Sequence, residues 1–172
     1  MSRFRVLIGI SVFWLPLSLL FDGLTVLVLP AHLLGTTDGA QIATRQGLIT
    51  FVGLLAAMLI QPVAGVYSDR IHRQWGRWPF LATASAGAIV ALVLFGISDY
   101  FLAILVTFTL VQMGASAAQA AQQGFLPDLI PRKHRGTASG LKNFMDIVGA
   151  TIAFVVLGQL LAEGAPGPRS PP

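Results

Sequence analysis

Cysteine is absent from the 172 residues, which excludes a disulfide framework, a thiolate metal site and a thiol nucleophile. Charge is nearly as scarce. Lys, Arg, Asp and Glu make up 10% of the chain, against about 25% in an average soluble domain. So few charges cannot cover the surface of a water-soluble domain of this length. Histidine is limited to three scattered residues, a poor basis for a zinc site, and neither a metal nor another cofactor is expected. Sustained apolar–polar alternation is missing too, and with it the case for strands or a transmembrane barrel. What fills the chain is apolar: 55% of the residues are hydrophobic and the mean hydropathy is +0.75. This composition specifies a membrane protein.

Apolar runs separated by short polar stretches place five helices, at about 6–34, 46–67, 80–97, 100–123 and 138–161. A signal peptide is excluded at the start. Its apolar region is about 7–15 residues long and ends in a small-residue cleavage site, whereas the run from Val6 to Leu34 is longer, lacks Ala-x-Ala and is broken by one charge, Asp22. A span must satisfy its own backbone hydrogen bonds in lipid, so helices are the economical solution. The fold class is all-α, with residues 1–162 in one helical bundle and the Gly/Pro-rich residues 163–172 expected to be a disordered tail.

The net charge of +4 and pI near 10.4 invite a nucleic-acid reading, but the placement of the charges argues against it. Arg3, Arg5, Arg70, Arg73, Arg77, Arg132, Lys133, Arg135 and Lys142, nine of the eleven basic residues, fall at the N-terminus or in the 67–79 and 127–142 loops. All three lie on one side of a five-span topology, and only Arg45 and Arg169 lie on the other. By the positive-inside rule that side is cytoplasmic, and the C-terminus is outside. The bilayer is the expected partner, with no nucleic acid.

Polar residues within spans are costly and therefore informative. Ser11, Trp14, Ser18, Asp22 and Thr25 share one face of the first helix, and Gln112, Ser116, Gln119 and Gln123 share one face of the fourth. On the fifth, Asn143, Asp146 and the small pair Gly149/Ala150 lie on one side, while Gln61 sits near the cytoplasmic end of the second, before Pro62. Two readings stay open. These groups bond neighbouring helices, or helices one, four and five line a shared aqueous cavity. A buried carboxylate needs a partner or water. With no Lys or Arg deep in any span, Asp22 and Asp146 are expected to hold a proton or a cation. Asp22-Gly23 is also readable as a simple helix break. The third helix carries little that is polar and reads as peripheral.

The stretch Gln61-Pro62-Val-Ala-Gly65-Val-Tyr-Ser68-Asp69-Arg70-Ile-His-Arg73-Gln-Trp-Gly76-Arg77-Trp-Pro79-Phe80 resembles the loop between helices two and three of the major facilitator superfamily. The common form of that loop is Gly-x-x-x-Asp-Arg-x-x-Arg. Its longer form, with Ser68-Asp69-Arg70 followed by Trp75-Gly76-Arg77, is similar to the sucrose-transporter and glycoside–pentoside–hexuronide cation-symporter branches. Leu126-Pro127-Asp128-Leu-Ile-Pro131, with Arg135-Gly136-x-Ala138-Ser139-Gly140, is similar to the loop before helix five there.

The resemblance covers about residues 6–161. It implies a secondary transporter of the cell (inner) membrane, not an enzyme, moving a small polar solute such as a sugar with a coupling proton or Na⁺ by alternating access. Trp14, Ser18, Asp22, Gln112, Gln119, Asn143 and Asp146 would line the solute and ion cavity. Gly65, Asp69, Arg70, Arg73, Gly76 and Arg77 would form the cytoplasmic gating loop, with Asp69, Arg70 and Arg73 in the charge network that latches the outward-open state and Gly65 allowing close packing. Departures are the five helices in place of about twelve, a tail that reads as a truncation, and the lack of both an arginine in helix four and a Gly-Pro end to helix five, which disfavours a drug/proton antiporter. The missing half is expected from a C-terminal bundle or a second copy. The alternatives are a non-transporting assembly factor of the bacteriochlorophyll-complex type or a non-functional truncated product. An intramembrane aspartyl protease lacks its Gly-x-Gly-Asp motif here.

Overall fold

The computed structural model describes residue 12 and residues 14–36 and 39–164. The start of the first helix and residues 165–172 of the expected tail lie outside the described residues. Helix α1 consists of Trp14–Asp22, a π-helical segment Gly23–Val28 and Leu29–Thr36. It is followed by α2 (Ile42–Trp75), α3 (Trp78–Gly96), α4 (Phe101–Leu129) and α5 (Arg135–Gly164), with short 3₁₀ turns at Gly39–Gln41 and Arg132–His134. No strand occurs among the described residues. Five helical spans are long and apolar enough to cross a bilayer, so the chain is an all-α, multi-pass membrane protein.

Helix ends differ from the apolar runs in one systematic way. The basic stretch from Ser68 to Trp75, expected as loop, continues α2, and α4 runs past Gln123 to Leu129. Hydropathy marks where lipid ends. A helix ends only where its backbone is stopped. The stop for α2 is Gly76, whose φ of +77° lies in the left-handed region that costs glycine nothing. For α4 it is Ile130, already extended. The break expected at Asp22-Gly23 is instead a widened turn with the helix continuing through it.

Helix α4 is the hub, packed against α2 on one side and α3 on the other, while α1 pairs with α5. Within lipid the apolar surroundings give no reward for burying leucine, so close contact must hold these pairs. Small residues supply it. Ala115, Ala118 and Ala121 of α4 are fully buried, and a Cβ on Gly149 of α5 would run into the Leu15 carbonyl and Ser18 of α1. A larger cluster, with Phe95 and Phe108 tilted at 6.1 Å, joins α1, α2, α3 and α4 towards the end that the charge count puts outside. There His32 Nε2 also donates to the Ser98 carbonyl at 2.7 Å. The peripheral reading of α3 holds for only half its surface. Leu81, Ala88, Ala91 and Phe95 are buried, while Ile89, Val90 and Val93 face outward.

Candidate functional site

Near the middle of the spans, α1, α2, α4 and α5 enclose an open cavity of about 400 Å³. Ser18, Phe21 and Asp22 come from α1, Leu54, Ala57, Met58 and Gln61 from α2, Ser116 and Gln119 from α4, and Asp146 from α5. The spacing of four between Ser18 and Asp22 turns both to one side, and Ser18 Oγ lies 3.0 Å from Asp22 Oδ2. The same hydroxyl lies 2.7 Å from the Asp146 carbonyl oxygen, tying α1 to α5. Across the cavity Gln61 Nε2 donates to Gln119 Oε1 at 2.9 Å, joining α2 to α4. Pro62 has no N–H to give, which releases the Met58 carbonyl from the helix ladder beside the cavity.

Of the expected cavity residues, Ser18, Asp22, Gln119 and Asp146 are thus brought together. The other three are placed elsewhere. Gln112 is 1% exposed and donates to Thr25 Oγ1 at 3.2 Å. Its Oε1 accepts no hydrogen bond among the described residues. Asn143 is exposed and off the cavity lining. Trp14 is buried beneath Lys142, whose Nζ stands 3.7 Å from the indole centroid, and the two help line a separate pocket of about 170 Å³ with Gln122, Gln123 and Ser139. Lys142 is a correction as well. Counted with the 127–142 loop for the charge balance although the fifth span begins at about 138, it lies inside α5, one turn from Asp146. Gln61 and Ser116 were visible as polar positions in spans, but nothing local to either shows that they meet Asp22 and Asp146.

The second cluster sits where α2 turns into α3. Gly76 swings the chain so that Arg77, 7% exposed, points back across α4. Its Nη1 pairs with Asp69 Oδ1 at 2.7 Å and donates to Ser68 Oγ at 3.1 Å, and its Nε pairs with Asp128 Oδ2 at 2.7 Å. His72 Nε2 lies 3.6 Å from the same Asp128 oxygen. A Cβ on Gly124 would overlap the guanidinium, so α4 admits Arg77 only because glycine stands there. Burial alone would lower the Arg77 pKa, but its hydrogen bonds to Asp128 and Asp69, and their charge, outweigh it and raise the value above the ordinary arginine range. Among the described residues no ion pair involves Arg70 or Arg73, both exposed. The expected network around Asp69 therefore runs through Arg77, and its second carboxylate, Asp128, comes from the other loop motif. Gly65 has nothing within 4 Å of where a Cβ would stand, so no packing contact among the described residues requires it.

A family model of the Major Facilitator Superfamily matches residues 6–171. The chain belongs to the major facilitator superfamily. It is accordingly a multi-pass membrane protein of a transporter family. No curated protein and no solved structure matches it. Within this superfamily chain, Arg77 is the residue that joins the two loop motifs, bridging Asp69 of the first and Asp128 of the second.

Proposed function

We propose that this chain forms the N-terminal wall of a secondary transporter for a small polar, uncharged solute such as a sugar, driven by a proton or Na⁺ through alternating access. The observation that carries the reading is the lining of the central cavity. Two carboxylates, two amides and two hydroxyls face a space whose volume of about 400 Å³ lies within the range of about 300–1,000 Å³ usual for small-molecule sites. Hydroxyls of a sugar can donate hydrogen bonds to the carboxylates and accept them from the amide N–H groups. No Lys or Arg lines the cavity among the described residues, which disfavours anionic solutes. The Ser18 hydroxyl has one proton and two acceptors in reach, Asp22 and the Asp146 carbonyl, and a proton held by Asp22 would satisfy both contacts. That favours Asp22 as a carrier of the coupling cation. The assembly-factor alternative calls for a cavity filled by bulky apolar groups, which this lining does not resemble. The loop motifs, similar to the sucrose and glycoside–pentoside–hexuronide branches, support the sugar class.

Alternating access needs two bundles facing one site, and the described residues form one. A second bundle, joined in sequence or provided by a second copy, would close the open side of the cavity. Cation-driven sugar uptake in liposomes tests the proposal, with the chain alone and with a superfamily C-terminal half supplied. Uptake should require the second bundle and be lost in Asp22→Asn. Uptake that Asp22→Asn leaves unchanged would overturn the coupling role.

A further inference from the structure

Arg70 and Arg73 are the two arginines of the first loop motif that the charge cluster leaves out. Both are exposed, and neither makes an ion pair among the described residues. With Arg70 at its rim, an open and largely apolar groove of about 390 Å³ runs along α2 past Pro62, Val63, Val66 and Tyr67. Tyr67 packs on Phe80 of α3 at 5.8 Å, which fixes one edge of the groove. Helical register shows what can reach it. The buried positions Gly53, Ala57, Ala64 and Ser68 and the cavity positions Leu54, Met58 and Gln61 occupy two adjoining sides of α2. Leu48, Leu55, Leu59, Val63 and Val66, all exposed, form a stripe ending at Arg70 and centred roughly 130° or more from both sides. A second bundle closing the cavity would meet the Leu54, Met58 and Gln61 side and leave this stripe to lipid. Depth agrees. The apolar run 46–67 is centred near Ala57. At 1.5 Å per residue, Val63 and Val66 stand about 9 and 14 Å from that centre, within the roughly 15 Å half-thickness of the hydrocarbon, and Arg70 stands about 20 Å out, among the headgroups.

We infer that this face of α2 is a binding site for one anionic phospholipid, with an acyl chain in the Pro62–Tyr67 groove and the phosphate held by Arg70 and Arg73. Residues three apart on a helix are neighbours on its surface, so both guanidiniums can close on one headgroup. Each is a planar fork that takes phosphate oxygens in pairs. Two unpaired positive charges select a lipid of net negative charge over one whose phosphate is already balanced by choline. The inference stands apart from the transport reading, since it needs only α2 and a bilayer. A lipid seated there would also hold the cytoplasmic end of α2 at a fixed depth.

Phosphatidylglycerol and phosphatidylcholine, titrated separately onto the full chain in mild detergent and counted by native mass spectrometry, test it. Phosphatidylglycerol should bind the more tightly. Arg70→Gln with Arg73→Gln should weaken it about 30-fold, each basic residue near a charged headgroup being worth about a factor of five. Arg70→Lys with Arg73→Lys, which keeps the charge but not the fork, should restore part of the binding. Arg132 and Lys133, also exposed, lie on the 3₁₀ turn before α5, and Arg132→Gln with Lys133→Gln removes the same charge. That pair should leave binding near its unaltered value. Val66→Trp, which fills the groove and spares both arginines, should weaken it. In vesicles, phosphatidylglycerol with a photoactivatable acyl chain should label residues 62–67. Equal binding of the two lipids, equal losses in the two glutamine pairs, undiminished binding in Val66→Trp, or label concentrated elsewhere overturns the inference. Displacement of the lipid by a supplied superfamily C-terminal half would overturn it as well, by giving this face to the second bundle.

Discussion

Gly124 separates α4 from the Arg77 guanidinium by no more than a hydrogen atom, and that closeness lets Arg77 reach two carboxylates from within a helix junction. Gly124→Ala should push the guanidinium off its seat and lower thermal stability by about 1–3 kcal/mol, the cost of a charged group left poorly paired. In an Arg77→Ala background the same change should cost much less, and a double-mutant cycle measured by thermal unfolding in detergent checks it. The two aspartates should differ. Asp69 is 66% exposed and Asp128 28%, so Asp69→Asn should cost no more than about 1 kcal/mol, with Asp128→Asn the more damaging. Asp69→Asn should still impair uptake in a complete carrier with this loop while leaving insertion intact, because a latch acts on the balance between two states rather than on folding. Since the pairing raises the Arg77 pKa, its contribution is present at every pH below the ordinary arginine value and is lost only as pH climbs through the raised one. Melting from neutral to moderately alkaline buffer should therefore show no Arg77-dependent loss. Arg77 and Asp69 could be picked out of their loop by motif, but Asp128 could not be assigned to them. It lies 51 positions from Arg77, and no local pattern carries that information.

On the scale of elements, the polar faces of α1, α4 and α5 were legible because a helix repeats every 3.6 residues and these residues obey that spacing. The register beyond Asp22 was not. The π-helical segment Gly23–Val28 widens the turn, so Asp22 faces the cavity while Thr25 faces Gln112 of α4. A periodicity of 3.6 cannot anticipate a turn that departs from it, and so Gln112 is placed in the helix interface and not in the cavity. Thr25→Val should leave both polar ends of a buried glutamine unmatched and destabilise by about 1–3 kcal/mol, whereas Gln112→Met combined with Thr25→Val should be close to neutral, since both partners then become apolar. Thermal melts of the single and double variants decide it. Helix lengths were underestimated for another reason. Polar residues such as Arg70, Arg73 and Gln74 continue a helix into water at little cost, so composition falls silent about α2 well before Gly76 ends it.

For the whole molecule, the number and order of spans could be read from hydropathy, but not that α2 packs on α4 or α1 on α5, because pairing depends on which small residues meet. The charge count still predicts a topology to be tested. A maleimide that cannot cross the membrane should label Asp99→Cys from outside and spare Gln74→Cys, and the reverse pattern would refute the orientation. The 34 residues of α2, at 1.5 Å each, make a rod of about 50 Å, longer than the roughly 30 Å of hydrocarbon it crosses. One continuous rod thus carries Leu54, Met58 and Gln61 at the cavity and Ser68, Asp69 and His72 at the charge cluster. Gly53 seats it closely against Phe108 of α4. With that seat as a fulcrum, the arm to Asp69 is on the order of 24 Å, and a tilt of about 10° would displace its tip by about 4 Å. This exceeds the 2.7 Å separation of Asp69 and Arg77. The arm from the same fulcrum to Gln61 is on the order of 12 Å, so a shift of about 2 Å at Gln61 becomes about 4 Å at the far tip. In the proposed carrier α2 would thus work as a lever whose short end feels the cargo and whose long end breaks or makes an ionic contact.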